Sequence, residues 1–329
     1  MSARDLLQLL ADGGVHSGER LAAHLQVSRT AVWKCIERLR GHGIGVQAQA
    51  REGYSLIAPV ELLDASRIEE QISVGHTGLL AQLQVHFEVD STNTLLLEGA
   101  HPPPGTAFAC LTELQTQGRG RRGRQWLSSF GEGLALSLSW SFADTPKDLS
   151  ALSLAVGVAV ARAATRLGAQ HISLKWPNDL WFHDRKLGGI LIEMRSEAGG
   201  PAFVVIGVGL NVHPTAATLD ILQRGGVAAA GLAQACPAKL SRNALAGAVI
   251  DEMLAVLQQF ASDGFAPFRE EWSALDALRN RPVRVLLGTD DCSGTAAGID
   301  VDGGLLLDSG GQVRKFVSGE ASLRLQADV

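Results

Sequence analysis

The sequence predicts an α+β fold made of three units, and three observations support this prediction. Residues 1–58 contain three short helical segments and then an alternating apolar segment, the pattern of a winged helix-turn-helix domain. Residues 59–277 alternate strand-like and helical segments, as α/β domains do. Residues 278–329 contain short strand-like runs separated by glycine-rich turns, which indicates a small β-barrel.

The helical segments of the first unit have clear capping residues. "RDLLQLLADGG" (4–14) predicts a helix that ends at Gly13 and Gly14. Ser17 and Ser28 are suitable N-caps for a second helix, "GERLAAHL", and a third, "RTAVWKCIERLRGH". The alternating segment "IGVQAQAREGYSLIAP" then predicts a β-hairpin wing, and a domain boundary follows near Pro59.

The third helix has two chemically different faces. Val32, Ile36 and Leu39 are spaced i, i+4 and i+7, which predicts an inward apolar stripe. Polar and cationic side chains lie elsewhere on this helix and are suited to the DNA major groove. The candidate DNA contacts are Ser28, Arg29, Thr30, Trp33 and Lys34. Two alternatives stay open: the unit is a protein-binding module with a solvated charged face, or Trp33 belongs to the core.

Composition indicates a soluble protein of the cytoplasm. The chain has 329 residues, of which 46% are hydrophobic and 19% charged, and its net charge is −5, so no general affinity for nucleic acid follows. Residues 1–57, however, contain seven basic and five acidic residues, a net of +2. The four cysteines lack disulfide or metal-site spacing. We expect no targeting signal and no membrane segment, because polar residues interrupt every apolar run.

The second and third units are predicted from apolar runs and helix caps. A connecting helix is expected over 60–72, a helix after Ser91, and long helices over 148–168 and 241–264. Strands are expected over 83–90, 106–115, 133–142 and 203–212, with two more strands joined by a Pro-Asn-Asp turn within 172–195. The tail contributes strand-like runs at 283–288, 304–309 and 312–319.

A loop with alternating glycine and arginine, "GRGRRGRQW" (118–126), follows the second of these strands. It matches G-x-G-x-x-G, but no helix begins after it, so the dinucleotide-binding interpretation fails. A phosphate-binding P-loop fails as well, because Arg124 and Gln125 stand where Lys and Ser/Thr are required. A nucleic-acid patch and a flexible anion-binding loop remain, and arginine suits either partner.

Further polar residues follow other strands and predict one shared site. "STN" (91–93), "KWPND" (175–179), "KLGGI" (186–190) and "GVGLN" (207–211) each stand at or near a strand end. Together with "GRGRRG" (118–123), in this order, they resemble the biotin protein ligase family in its long bifunctional form, the biotin-operon repressor. The family fold implies a central mixed sheet related to class II aminoacyl-tRNA synthetases.

The resemblance implies a two-step ligase that forms biotinyl-5′-AMP from biotin and ATP and transfers biotin to a lysine of the biotin carboxyl carrier protein of acetyl-CoA carboxylase. Catalytic cations would be Arg119, Arg121 and Lys186. Biotin contacts would be Ser91, Thr92, Asn93, Gln115, Arg119, Gly120, Arg121, Lys186, Gly189 and Gly207. ATP contacts would be Arg121, Arg122, Trp126, Lys175, Asn178, Asp179 and Asn211, with Mg²⁺ on the phosphates and no metal ligands assigned.

The resemblance also implies that biotinyl-5′-AMP is a corepressor. The adenylate-bound protein would form a homodimer and bind operator DNA upstream of biotin biosynthesis genes. Two other functions stay open at the level of sequence: a ligase for lipoate or octanoate, and a ligand-sensing repressor without turnover.

Overall fold

The computed structural model describes residues 3–127, 129–196, 202–287, 290–317 and 322–325. The N-terminal domain consists of α1 (Ala3–Leu10), α2 (Gly18–His24), α3 (Arg29–Gly41), β1 (Val46–Gln49) and β2 (Gly53–Leu56). Both predicted caps are confirmed, since Ser17 Oγ and Ser28 Oγ each accept a backbone N–H of the next turn. β1 and β2 pair as the expected antiparallel wing.

The apolar stripe of α3 is confirmed. Val32, Ile36 and Leu39 are fully buried and pack with α1 in a core of their own. Trp33 is 49% exposed, so its placement in the core is excluded. The side chain points away because position 33 is rotated by about 100° from Val32 around the helix, outside the apolar stripe.

The central domain has helices α4 (Ala65–Glu69), α5 (Thr92–Glu98), α6 (Leu152–Arg166), α7 (Ala216–Arg224), α8 (Arg242–Asp263) and α9 (Arg269–Ala274). Its strands are β3 (Leu80–Val89), β4 (Ala107–Gln115), β5 (Gly133–Ser141), β6 (Ile172–Lys175), β7 (Asp179–Phe182), β8 (Arg185–Ser196) and β9 (Ala202–Asn211). They form one sheet in the order β3-β4-β5-β9-β8-β7-β6. The sheet is mixed, because β3 and β4 are parallel and the other pairs are antiparallel.

Two predictions for the central domain are wrong in detail. The segment 172–195 forms three strands instead of two, because His183 and Asp184 adopt positive φ (45° and 61°) and turn β7 back into β8. The connecting helix spans only Ala65–Glu69. The residues before it are held in another way: the backbone N–H of Leu63 donates to buried Glu113, and the carbonyl of Glu61 accepts from buried Arg242. Helices α7 and α9 were not predicted.

The apolar helices α6 and α8 pack together in the main core. Among the described residues, two helices are long and apolar enough to span a membrane, Leu149–Arg166 and Arg242–Asp263. In each of them, however, 67% of the most apolar 18-residue stretch is buried inside the fold. Core helices of soluble proteins can have the same length and composition, so these two helices are weak evidence for a membrane segment.

The C-terminal domain is a small antiparallel sheet, where the sequence predicts a small β-barrel. Its strands are β10 (Pro282–Leu287), β11 (Asp290–Ile299), β12 (Leu305–Asp308), β13 (Val313–Phe316) and β14 (Ser322–Leu325), in the order β13-β12-β11-β10-β14. Within the described ranges β13 and β14 do not pair, so the strands shown form an open sheet. β11 was not predicted. Apolar side chains of β11 join the main core. The C-terminal domain is also tied to the central domain by a hydrogen bond from Trp176 Nε1 to Gly303 O at 3.1 Å.

The N-terminal domain is attached to the first strand of the central sheet. The Arg4 guanidinium donates to Val85 O and Leu63 O, each at 3.0 Å. His42, which follows α3, lies 3.1 Å from a Glu88 carboxylate oxygen. Since β3 leads directly into Ser91, the N-terminal domain and the start of the polar site share one strand.

Candidate active site

A cavity of about 470 Å³ lies where the arginine loop meets the ends of the central strands. Every residue that sequence reasoning assigned to biotin or ATP lines it. They are Ser91, Thr92, Asn93, Gln115, Arg119, Gly120, Arg121, Arg122, Trp126, Lys175, Asn178, Asp179, Lys186, Gly189, Gly207 and Asn211. Its cationic side chains outnumber its acidic ones, Asp179 and Asp184, so it is suited to anions.

One end of the cavity is a hydrogen-bonded cluster built on the Ser-Thr-Asn motif. Gln115 Oε1 accepts from Thr92 N at 3.0 Å and lies 3.1 Å from Thr92 Oγ1. Ser137, in β5, has its hydroxyl 2.7 Å from Thr92 Oγ1 and 2.5 Å from Asn93 Oδ1. Ser91 caps α5 by accepting from Thr94 N. The start of α5 is thereby fixed against β4 and β5.

Three glycines of the motifs lie where neighbouring side chains pack directly against the strand backbone, so there is little or no room for a Cβ. A Cβ at Gly207 would lie 2.4 Å from Asn93 Oδ1, so this position leaves room for the asparagine amide. A Cβ at Gly209 would lie 2.6 Å from Cε2 of Trp126, which places the indole against β9. Gly189 lies beside Lys186, with 3.3 Å between a built Cβ and Nζ.

The other end of the cavity collects the cations. Lys186 Nζ donates to Asp179 Oδ1 at 2.7 Å, and Arg121 Nη1 donates to Asn178 Oδ1 at 3.1 Å. Burial, together with Arg122 nearby, lowers the pKa of Arg121. Burial also lowers the pKa of Lys175 to about 8, against the attraction of Asp179. Such clustering of like charge leaves this end ready for a polyanion.

The Lys175 ammonium has an aromatic neighbour, since its Nζ lies 4.6 Å from the centre of the Trp181 ring. Asn211 Nδ2 donates to Lys186 O at 3.5 Å, and Asn178 Nδ2 donates to Ile190 O at 2.8 Å. These amides therefore hold strand ends in place at the cavity.

The arginine loop folds back on itself across the cavity. Trp126 N donates to Gly118 O at 2.8 Å, and Gly120 N donates to Arg124 O at 2.7 Å. Arg122 and Gly123 both have positive φ, 58° and 70°, which forms the sharp turn at the tip. The loop thus projects its arginines from a short hairpin over the strands.

The candidate DNA contacts form a separate site on α3. Ser28, Arg29, Thr30, Trp33 and Lys34 are all exposed. Arg29 also pairs with Glu19 of α2 at 3.0 Å, although both side chains are largely solvated. The face is therefore open to a partner and contains two cations and an aromatic ring.

Sequence reasoning missed several residues of the cavity and its wall. Ser137 belongs to an apolar strand, and Glu193 stands within β8, so neither has a motif to mark it. Leu323, Arg324 and Leu325 come from β14 of the C-terminal domain, and Arg124 and Trp181 were not assigned. Arg124 could have been found, because it lies in the arginine loop.

Family models match all three units. The Biotin/lipoate A/B protein ligase family matches residues 86–211, the HTH domain residues 3–55, and the Biotin protein ligase C terminal domain residues 280–324. The chain is 39% identical to the bifunctional ligase/repressor BirA of Salmonella typhimurium over 97% of this chain and 96% of that protein. It is 32% identical to the Bacillus subtilis protein of the same name, over 97% and 98%.

A solved structure supports the same similarity. The biotin protein ligase from Aquifex aeolicus in complex with biotin and ATP superimposes with a TM-score of 0.64 at 27% identity. The match covers 75% of this chain and all of that one.

Proposed function

Because this chain belongs to the family of the bifunctional ligase/repressor BirA, we propose that its cavity is the site where biotin is joined to ATP and passed to a carrier protein. The protein is a biotin protein ligase and a transcriptional repressor. This double function is favoured over the two alternatives, a lipoate ligase and a repressor without turnover. The observation that carries the site assignment is the convergence of five separated motifs on one cavity.

In the first step, an oxygen of the biotin carboxylate attacks the α-phosphorus of ATP. The new P–O bond forms as the bond to the β-phosphate oxygen breaks, and pyrophosphate leaves. Both reactants are anions, so cations must offset their repulsion before they meet. We assign this role to Arg119, Arg121 and Lys186, which come from the loop and from β8 and line the same cavity.

The biotin head would occupy the end formed by α5, β4 and β5. Ser91, Thr92 and Gln115 offer the small polar groups that a ureido ring requires, and Gly189 and Gly207 keep the walls close. The nucleotide would occupy the cationic end, with Trp126 as the aromatic surface for adenine. The nucleotide and its metal would be served by Lys175, Asn178, Asp179 and Asn211 together.

Mg²⁺ fits this arrangement as a partner of the nucleotide. Among the described residues no group of three or more His, Cys, Asp or Glu side chains could hold a metal ion on its own. Mg²⁺ commonly binds substrate phosphates with only one or two carboxylates, and Asp179, whose Oδ1 accepts from Lys186, is the carboxylate at the cationic end that would serve it. There Mg²⁺ would neutralise phosphate charge.

In the second step, the ε-amine of a carrier lysine attacks the carbonyl carbon of the mixed anhydride. The amide bond forms, AMP leaves, and the amine loses its proton. The protein forms no covalent intermediate in this scheme. To test it, we would incubate the protein with ATP, Mg²⁺, biotin and a biotin carboxyl carrier domain and weigh the carrier. An unmodified carrier would contradict the proposal, and so would labelling by octanoate but not by biotin when the two acids are supplied in parallel incubations.

The repressor activity would use the exposed face of α3. We assign operator contacts to Ser28, Arg29, Thr30, Trp33 and Lys34, and we expect the adenylate-bound protein to dimerise and bind a palindromic site. Removal of residues 1–58 should abolish binding to DNA upstream of biotin biosynthesis genes and largely spare ligation. If neither the free nor the adenylate-bound full chain shifts this DNA at low salt, the DNA assignment fails.

A further inference from the structure

A carboxylate in β8 joins two parts of the cavity that lie far apart in sequence. Glu193 Oε2 accepts from Asn93 Nδ2 at 2.8 Å and from Arg119 Nη2 at 2.9 Å. Glu193 pairs with Val205 of the neighbouring strand, so its backbone is fixed in the sheet. Asn93 belongs to the first turn of α5, and Arg119 to the arginine loop. One carboxylate oxygen therefore holds a loop and a helix start to the same strand.

The amide of Asn93 is hydrogen-bonded to the protein at both its nitrogen and its oxygen. The residue is only 4% exposed, its Nδ2 donates to Glu193, and its Oδ1 lies 2.5 Å from the Ser137 hydroxyl. That hydroxyl has one proton and lies near both Thr92 Oγ1 and Asn93 Oδ1. The Thr92 hydroxyl in turn donates to Gln115 Oε1 at 3.1 Å, which extends the contacts to β4.

The contacts form a continuous network around one end of the cavity. It runs from Gln115 through Thr92, Ser137 and Asn93 to Glu193 and ends at Arg119. Buried polar networks of this kind are rigid when every member is satisfied. The network ends on an arginine side chain that is itself 42% exposed, so this last contact decides where a long mobile side chain points.

We propose that Glu193 is a positioning residue for biotin that acts through Arg119. This inference rests on the proposed role of Arg119 at the biotin carboxylate. A guanidinium has five N–H donors, of which this contact uses one, so the others stay available to an anion. Fixing the side chain before biotin arrives removes part of the rotamer entropy that binding would otherwise cost.

The neighbouring loop arginine is held in a different way. Arg121 donates to the neutral amide oxygen of Asn178, whereas Arg119 is held by a charged carboxylate. A change of charge at residue 193 should therefore affect Arg119 and leave the anchor of Arg121 intact.

The test replaces Glu193 by glutamine, which keeps the size and an acceptor oxygen but removes the charge. The dissociation constant for biotin, measured by calorimetry on the full chain without ATP, should rise roughly fivefold, the size of effect that a partly exposed ion pair produces. The kcat for pyrophosphate release at saturating substrates should fall by no more than the same factor, because the Arg119 guanidinium is retained. Glu252→Gln is the matched control, because it breaks an Arg–carboxylate pair of similar exposure outside the cavity.

A double-mutant cycle with Arg119→Gln separates positioning from general destabilisation. The Glu193→Gln effect on biotin binding should largely disappear when Arg119 is already removed. An equal effect in both backgrounds, or an unchanged biotin affinity in Glu193→Gln, overturns the inference. Glu193→Asp, which withdraws the carboxylate by one methylene, is a second variant and should weaken biotin binding as well. If the wild-type chain itself neither binds biotin nor releases pyrophosphate, the proposed function fails instead.

Discussion

Replacing Gly207 by alanine tests whether the Asn93 network shapes the biotin site. The added Cβ would lie 2.4 Å from Asn93 Oδ1, far inside van der Waals contact. The strand cannot yield easily, because Gly207 pairs with Ser137 on one side and with Leu191 on the other. The asparagine amide must therefore move, and it is buried with a hydrogen bond at each end.

The magnitude follows from these contacts. Overpacking of a filled site costs about 1–3 kcal/mol, and displacing the amide weakens its bonds to Ser137 and Glu193. The same network holds Thr92 and Arg119, so we expect the loss in biotin affinity to be of similar size. That corresponds to a biotin dissociation constant roughly 5- to 150-fold higher than in the wild-type protein.

Calorimetric titration of biotin into the purified variant measures the effect directly. Gly75→Ala is the matched control, because a Cβ there meets no atom within 4 Å and the residue has no positive φ. Thermal melting of both variants separates a local change from unfolding. A biotin affinity within twofold of wild type in a folded Gly207→Ala variant would refute the argument that this glycine is required by the Asn93 amide.

Three further predictions concern the cationic end and the loop. Lys186→Ala should slow adenylate formation, because it removes about 2.7–4 kcal/mol of transition-state stabilisation. Pyrophosphate release measures this effect, and near-normal release by the folded variant would show that Lys186 is not catalytic. Residues 118–126 should exchange amide hydrogens faster without ligand than with biotinyl-5′-AMP, and Arg121→Gly should let the adenylate escape to bulk lysines; equal protection in both states would exclude a lid. ATP affinity should fall as pH rises through about 8, because Lys175 has its pKa lowered to about 8 and loses its charge there. Lys175→Arg stays protonated and should lack this fall, so parallel pH profiles in calorimetry would count against a phosphate role.

Local interactions allowed much of the fold to be predicted. Ser17, Ser28 and Ser241 each cap a helix because the hydroxyl reaches a backbone N–H only three residues further on. The stripe of α3 follows from helical periodicity alone. Where a long-range contact competed, the prediction was wrong: the segment 60–72 reads as a helix, but buried Arg242 and Glu113 hold its first part in another conformation.

The sequence also contained the residue types of the site in five motifs, and their order resembled one family. The sequence did not show which hydrogen bonds connect those motifs in the folded protein. Ser137 and Glu193 have no motif of their own, yet they join Thr92, Asn93 and Arg119 into one network.

The tertiary structure therefore decided which polar groups are free for a ligand and which are used by the protein. Glu193 is 100 residues from Asn93 and 74 from Arg119 along the chain. Their meeting depends on the register of β8 against β9, because a shift of one residue would turn the carboxylate to the opposite face of the sheet. Side-chain chemistry is encoded residue by residue, whereas proximity across a sheet arises only once all of its strands have paired.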